Sequence, residues 1–204
     1  MLHDPAAVRA GFDEAATTFL STVRAIGPEH WDRAHALGEW NVRELTAHTL
    51  RAFVTLEGYL EAEPSSQRVL ADATEYYQTV LADPDVHRGV LSRARQMGRQ
   101  LFDPVGEAEA TVGRVVALVA ATADDEPVNT FAGQITLVEY LATRVVELGV
   151  HTLDLQRATG QLAELHPATS RVVLDVLTQL SSPVTLILAL TGRAPLPAGF
   201  NALS

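Results

Sequence analysis

The chain has 204 residues, of which 47% are hydrophobic and 20% are charged, a composition typical of a globular protein and not of a disordered one. The formal net charge of -10 and the absence of any Lys/Arg cluster argue against nucleic acid and anionic membranes as partners. Cysteine is absent, which excludes disulfides, thiolate metal ligands and a cysteine nucleophile, so any thiol chemistry needs a thiol from outside the chain.

The sequence shows neither a signal peptide nor a membrane-spanning segment, and we expect a cytoplasmic protein. The length suits one domain with a substantial core. We therefore expect residues 1–204 to form a single domain, with a metal-binding helical bundle over about residues 5–160 and a short helical and extended tail over residues 161–204.

Helix signals follow one another along the first half of the chain. An Asp-Pro pair at residues 4 and 5 starts a helix that is predicted to run to about residue 26. Asn41, with Glu44 three residues later, predicts a capping box and a second helix to about residue 63. Further helices are predicted over residues 66–81, 84–102 and 104–123, the last two of which begin at Asp-Pro pairs.

The second half contains the longest predicted helix, residues 136–160. Thr136 and Glu139 form a T-x-x-E pattern that predicts a capping box, and Gly160 lies where a C-terminal glycine is expected. A loop is expected before this helix, and two shorter helices after it, over residues 167–180 and 183–192. Because no alternating strand pattern is present, we predict an all-α fold, with a four-helix bundle from the helices near residues 5, 41, 84–104 and 136.

Four ionisable side chains lie beside the apolar face of the 136–160 helix: Arg144, Glu147, His151 and Asp154. Glu147 and His151 are one turn apart and can offer a metal one carboxylate oxygen and one imidazole nitrogen. A third ligand must come from another segment, and His48 is the best candidate because it lies on the apolar face of its helix. Two histidines and a carboxylate suit catalytic zinc, but also Fe(II), Ni(II) or Mn(II).

The alternative for these three residues is a core histidine beside an exposed Glu and His pair. The remaining histidines lie in loops, near helix ends or, for His3, in a terminus expected to fray. We expect each of them to be solvated and not to bind a metal: His3, His30, His35, His87 and His166.

Two segments carry specific patterns. One is W-x-V-x-x-L-x-x-H, from Trp40 to His48, and the other is R-x-x-E-x-x-x-H-x-x-D, from Arg144 to Asp154. Together they resemble the mycothiol-dependent maleylpyruvate isomerase family, within the superfamily of DinB and YfiT-like thiol-dependent metalloenzymes. The resemblance covers about residues 5–160 and implies a DinB/YfiT-like four-helix bundle with additional short helices. It also implies that His48, Glu147 and His151 bind a divalent metal, usually zinc.

The resemblance further implies an isomerase or S-transferase that uses mycothiol, or another low-molecular-weight thiol, on a small electrophile. Asp154 is a candidate to accept a hydrogen bond from the imidazole of His151 or His48, and Arg144 to hold a substrate carboxylate. The alternative for both is a mutual or surface ion pair. Trp40 is expected to pack as a hydrophobic staple or wall, or else to line the substrate or cofactor pocket.

Two functions of other classes stay open. The chain is alternatively a non-catalytic metal-binding or stress-response bundle, or a metal-assisted hydrolase that uses a metal-bound hydroxide. The expected partners are a small thiol, an electrophile and, in a homodimer, a second copy of the chain.

Overall fold

The computed structural model describes residues 3–63, 68–82 and 93–203. The chain is mainly helical in these ranges, which confirms the all-α prediction. In chain order the helices are α1 (Pro5–Arg24), α2 (Val42–Glu61), α3 (Ala73–Leu81), α4 (residues 93–100), α5 (Pro104–Ala121), α6 (Leu137–Thr159), α7 (Pro167–Gln179) and α8 (Pro183–Leu190), with a short 3-10 helix at Pro28–His30. No helix in the described part of the chain is both long and apolar enough to cross a membrane.

Several helix ends follow the local signals in the sequence. Asp4 accepts a hydrogen bond from the backbone N–H of Ala6 at the start of α1. Asn41 and Glu44 form the predicted capping box of α2, each accepting from the backbone N–H of the other, at 2.8 and 3.0 Å. Gly160 ends α6 with φ of 73°, a left-handed conformation that glycine adopts without steric cost.

The segment before α6 is a hairpin and not the predicted loop. Strands β1 (Pro127–Thr130) and β2 (Gly133–Thr136) pair in antiparallel register. Leu70 donates its N–H to the carbonyl of Gln134 at 2.8 Å, so extended chain before α3 lies along this hairpin. For that reason α3 begins at Ala73 and not near residue 66. The first part of the predicted 84–102 helix, together with His87, lies outside the described residues.

The start of α6 also differs from the prediction. Thr136 caps no backbone N–H, and Glu139 is fully buried. The Glu139 carboxylate binds His3, with Nδ1 of His3 2.7 Å from Oε2 and the backbone N–H of His3 donating to Oε1 at 3.1 Å. The capping-box prediction at Thr136 was therefore wrong, and so was the expectation that His3 is solvated.

Helices α1, α2, α5 and α6 form the bundle, and α7 packs against both α1 and α6. The core is aromatic where α1 meets α2, since the rings of Phe12 and Phe19 lie 5.7 and 6.1 Å from that of Phe53. Helix α2, which carries His48, is in direct contact with α6, which carries Glu147. This contact brings His48 towards Glu147.

Candidate metal centre

His48, Glu147 and His151 meet where α2 packs on α6. Nε2 of His48 lies 3.9 Å from Oε2 of Glu147, and Nε2 of His151 lies 3.7 Å from the same oxygen. One ligand atom from each residue falls within 4.8 Å of the others. No other group of three His, Asp or Glu side chains comes this close within residues 3–63, 68–82 and 93–203.

These distances fit a metal with modest side-chain movement. A tetrahedral zinc with bonds of about 2.0–2.1 Å separates its ligand atoms by about 3.4 Å. The two observed nitrogen to oxygen distances, 3.7 and 3.9 Å, exceed that value by less than an ångström. The third pair, one nitrogen from each histidine, lies within 4.8 Å, so rotations of the side chains would bring the three atoms to binding distance.

The protonation states are also those that a metal needs. Burial, helped by the neighbouring His151, lowers the pKa of His48 to about 4. Burial acts to raise the pKa of Glu147, but the Arg144 guanidinium, the two histidines and a Tyr77 hydrogen bond outweigh it and hold this pKa below its ordinary value. At neutral pH His48 is neutral and Glu147 is ionised, the forms in which both side chains bind metals.

Asp154 and Trp40 flank the two histidines. Oδ2 of Asp154 lies 3.2 Å from Nδ1 of His151, which leaves Nε2 of that ring facing Glu147. The ring of Trp40, 8% exposed, packs on the ring of His48 with the centroids 4.6 Å apart. Trp40 thus forms a wall against the His48 imidazole just before the cap of α2.

A cavity of about 130 Å³ lies beside His48 and Glu147. Its other walls carry three arginines and four tyrosines: Arg51, Arg93, Arg144, Tyr59, Tyr76, Tyr77 and Tyr140. The Arg144 guanidinium lies 4.6 Å from the centre of the Tyr140 ring, and the residue is only 8% exposed. Arg144 is therefore buried, and it lines the cavity together with Glu147.

The sequence pattern indicated Arg144 but not Tyr77, Arg51 or Arg93. Tyr77 lies on α3, and its hydroxyl lies 3.1 Å from Oε1 of Glu147. Arg51 lies on α2 one turn beyond His48, and Arg93 on α4. Nothing in their local spacing relates them to a ligand pair on α6, because they reach the cavity from three separate helices.

A comparison of the sequence with known protein families found a match over most of the chain. The family described as the mycothiol maleylpyruvate isomerase N-terminal domain matches residues 5–156. Comparisons with curated proteins and with solved structures gave no significant match. The family match spans most of the chain and includes all three residues of the candidate metal centre. The chain therefore belongs to the family of mycothiol maleylpyruvate isomerase N-terminal domains.

Proposed function

We propose that this protein is a divalent-metal-dependent enzyme that uses a low-molecular-weight thiol, of the mycothiol-dependent isomerase or S-transferase type, on a small electrophile. The convergence of His48, Glu147 and His151, the first two of which line a cavity, carries this proposal. Catalytic zinc sites use three protein ligands and keep a position for an exogenous ligand, whereas structural sites close that position with a fourth protein ligand.

The residues of the site have separate tasks in this proposal. His48, Glu147 and His151 hold the metal, with zinc as the expected ion. When bound, the metal supplies positive charge that lowers the pKa of a coordinated thiol. Asp154 accepts a hydrogen bond from Nδ1 of His151, which keeps the proton on that nitrogen and leaves Nε2 for the metal. The thiol comes from outside the chain, which has no cysteine.

The cavity favours an electrophile that carries a carboxylate. Guanidinium groups match carboxylates through paired hydrogen bonds, and Arg51, Arg93 and Arg144 all line the cavity. In an isomerase the thiolate adds to a conjugated cis double bond, allows rotation and leaves again, while in a transferase it stays on the product. Both reactions develop negative charge on the electrophile, which the same arginines stabilise.

The size of the cavity limits what it encloses. Its volume of about 130 Å³ is below the roughly 300–1,000 Å³ of pockets that enclose drug-sized ligands. We therefore expect it to receive the small electrophile, with the bulk of the thiol cosubstrate lying outside.

The first experiment is metal content by mass spectrometry on untagged protein. We expect about one metal per chain in the wild type and a loss of that metal in His151→Ala. The matched control is His166→Ala, which removes an exposed histidine at the start of α7. A wild type with little metal and with equal thermal stability in chelator would refute the proposal.

A second experiment separates thiol chemistry from hydrolysis. The visible spectrum of the Co(II)-substituted protein should change on addition of mycothiol and stay constant with its S-methyl derivative, which has no thiol to ionise. A metal-assisted hydrolase predicts no change with either compound. Thiol-dependent loss of a conjugated cis electrophile, followed by absorbance, then distinguishes an enzyme from a non-catalytic metal-binding bundle.

A further inference from the structure

Helix α3 contacts the metal-site helix α6 at regular intervals. The backbone N–H of Ala73 donates to Oε2 of Glu139 at 3.3 Å. One turn later on α3, the Tyr77 hydroxyl lies 3.1 Å from the carbonyl oxygen of Thr143 and 3.1 Å from Oε1 of Glu147. The residues touched on α6 are themselves four apart, so one turn of α3 contacts two turns of α6.

The two oxygens of Glu147 consequently have different partners. Carboxylate and carbonyl oxygens accept hydrogen bonds, so the Tyr77 hydroxyl is the donor, and it shares its single proton between Oε1 of Glu147 and the carbonyl oxygen of Thr143. The other oxygen, Oε2, faces the Nε2 atoms of His48 and His151 at 3.9 and 3.7 Å. A metal between the imidazoles would therefore meet Oε2, while Oε1 is already bonded.

We propose that Tyr77 is a positioning residue that makes Glu147 a one-oxygen metal ligand. This role rests on the metal site of the proposed function. Tyr77 is 4% exposed, and its ring packs edge to face on Tyr76 at 5.9 Å, so the hydroxyl has little freedom to leave Glu147. A carboxylate that binds through both oxygens takes two coordination positions, and Tyr77 keeps the second of these free for the thiol.

A purely structural role is the alternative, because the Tyr77 hydroxyl also ties α3 to the backbone of α6 at Thr143. A structural role changes stability alone. A positioning role changes the coordination of the metal as well, and the test therefore needs a readout of coordination.

The experiment compares Tyr77→Phe with Tyr76→Phe. Both variants remove one hydroxyl from neighbouring tyrosines of α3, each 4% exposed, and only Tyr77 bonds Glu147. Zinc affinity is measured by competition with a chromophoric chelator, and coordination by the visible spectrum of the Co(II) form. We expect Tyr77→Phe to bind zinc about 10–100-fold more weakly and to show the weaker absorption of a higher coordination number, with Tyr76→Phe unchanged in both.

The possible results distinguish the positioning role of Tyr77 from the existence of the metal site. Equal affinity and an unchanged spectrum in Tyr77→Phe overturn the positioning role and leave the metal site intact, whereas a wild type that binds no metal overturns the proposed function and this role together. Should Tyr77→Phe fail to fold, infrared difference spectra of wild-type protein with and without zinc serve instead, with Glu147→Gln to assign the carboxylate bands. One-oxygen binding predicts a wide separation of the two carboxylate stretches, and a narrow separation overturns the proposal.

Discussion

Acid should destabilise the metal-free protein through His48. Burial lowers the pKa of this histidine to about 4 in the folded protein, whereas an unfolded chain has a histidine pKa of about 6.5. Between these values the unfolded chain binds a proton that the folded protein does not. The contribution of His48 to the free energy of unfolding is therefore fully present above about pH 6.5 and is lost as the pH falls towards 4.

The size of the effect follows from the separation of the two pKa values. It corresponds to about 3 kcal/mol when fully developed, of which about 2 kcal/mol is lost between pH 7 and pH 4.5. The His48 side chain is only 12% exposed, so solvent screening reduces this figure little.

Urea unfolding followed by circular dichroism, in chelator at pH 7 and pH 4.5, measures this loss. Because carboxylates also titrate in this range, the comparison is with His48→Gln, and the control is His166→Gln at an exposed position. We expect the wild type and the control to lose about 2 kcal/mol more than His48→Gln. Equal losses in all three proteins would refute the reasoning.

Three further predictions concern the metal, the N-terminal pair and the packing of α7. Zinc at a hundred times its Kd should raise the free energy of unfolding by about 2.7 kcal/mol. In calorimetry this corresponds to a rise in Tm of roughly 5–10 °C, and the Tm of His151→Ala should not change on addition of zinc. His3→Ala should cost about 3 kcal/mol in urea titrations at pH 6 and less at pH 9. The hydrogen bond that the His3 ring donates to the Glu139 carboxylate raises the pKa of His3, and the pair weakens as the pH rises past that pKa. Gly149→Ala places a Cβ 2.9 Å from a valine methyl of α7 and should cost about 1–3 kcal/mol in thermal unfolding. Gly113→Ala has open space around its Cβ and should stabilise α5 by about 0.5–1 kcal/mol. A Tm unmoved by zinc, a cost of His3→Ala that is equal at both pH values, or equal effects of the two glycine substitutions would contradict the respective argument.

Local sequence signals predicted the features that depend on chain neighbours. The capping box of Asn41 and Glu44 and the left-handed Gly160 are complete within a few residues, and both are confirmed. The same kind of signal failed at Thr136, because Glu139 finds its partner in His3, which is 136 residues away in the chain. A pattern of three-residue spacing carries no information about such a partner.

The hairpin before α6 shows the same limit. Each of its strands has only four residues, too few for an alternating pattern to stand out. Its stability also depends on contact with another segment, since Gln134 bonds the backbone on either side of Val69. Because of that contact α3 begins later than predicted, and no local sequence signal near residue 70 indicates the contact.

For the candidate metal centre, the sequence by itself determined which side chains share a helix face. The 3.6-residue repeat places Glu147 and His151 one turn apart wherever α6 lies, and it places His48 on the apolar face of α2. Only the tertiary structure decided that these faces meet, with two imidazole nitrogens directed at one oxygen of Glu147, and that α3 brings the Tyr77 hydroxyl to the other. The reason is physical: positions along a helix follow from covalent geometry, but distances between helices follow from the packing of the whole core.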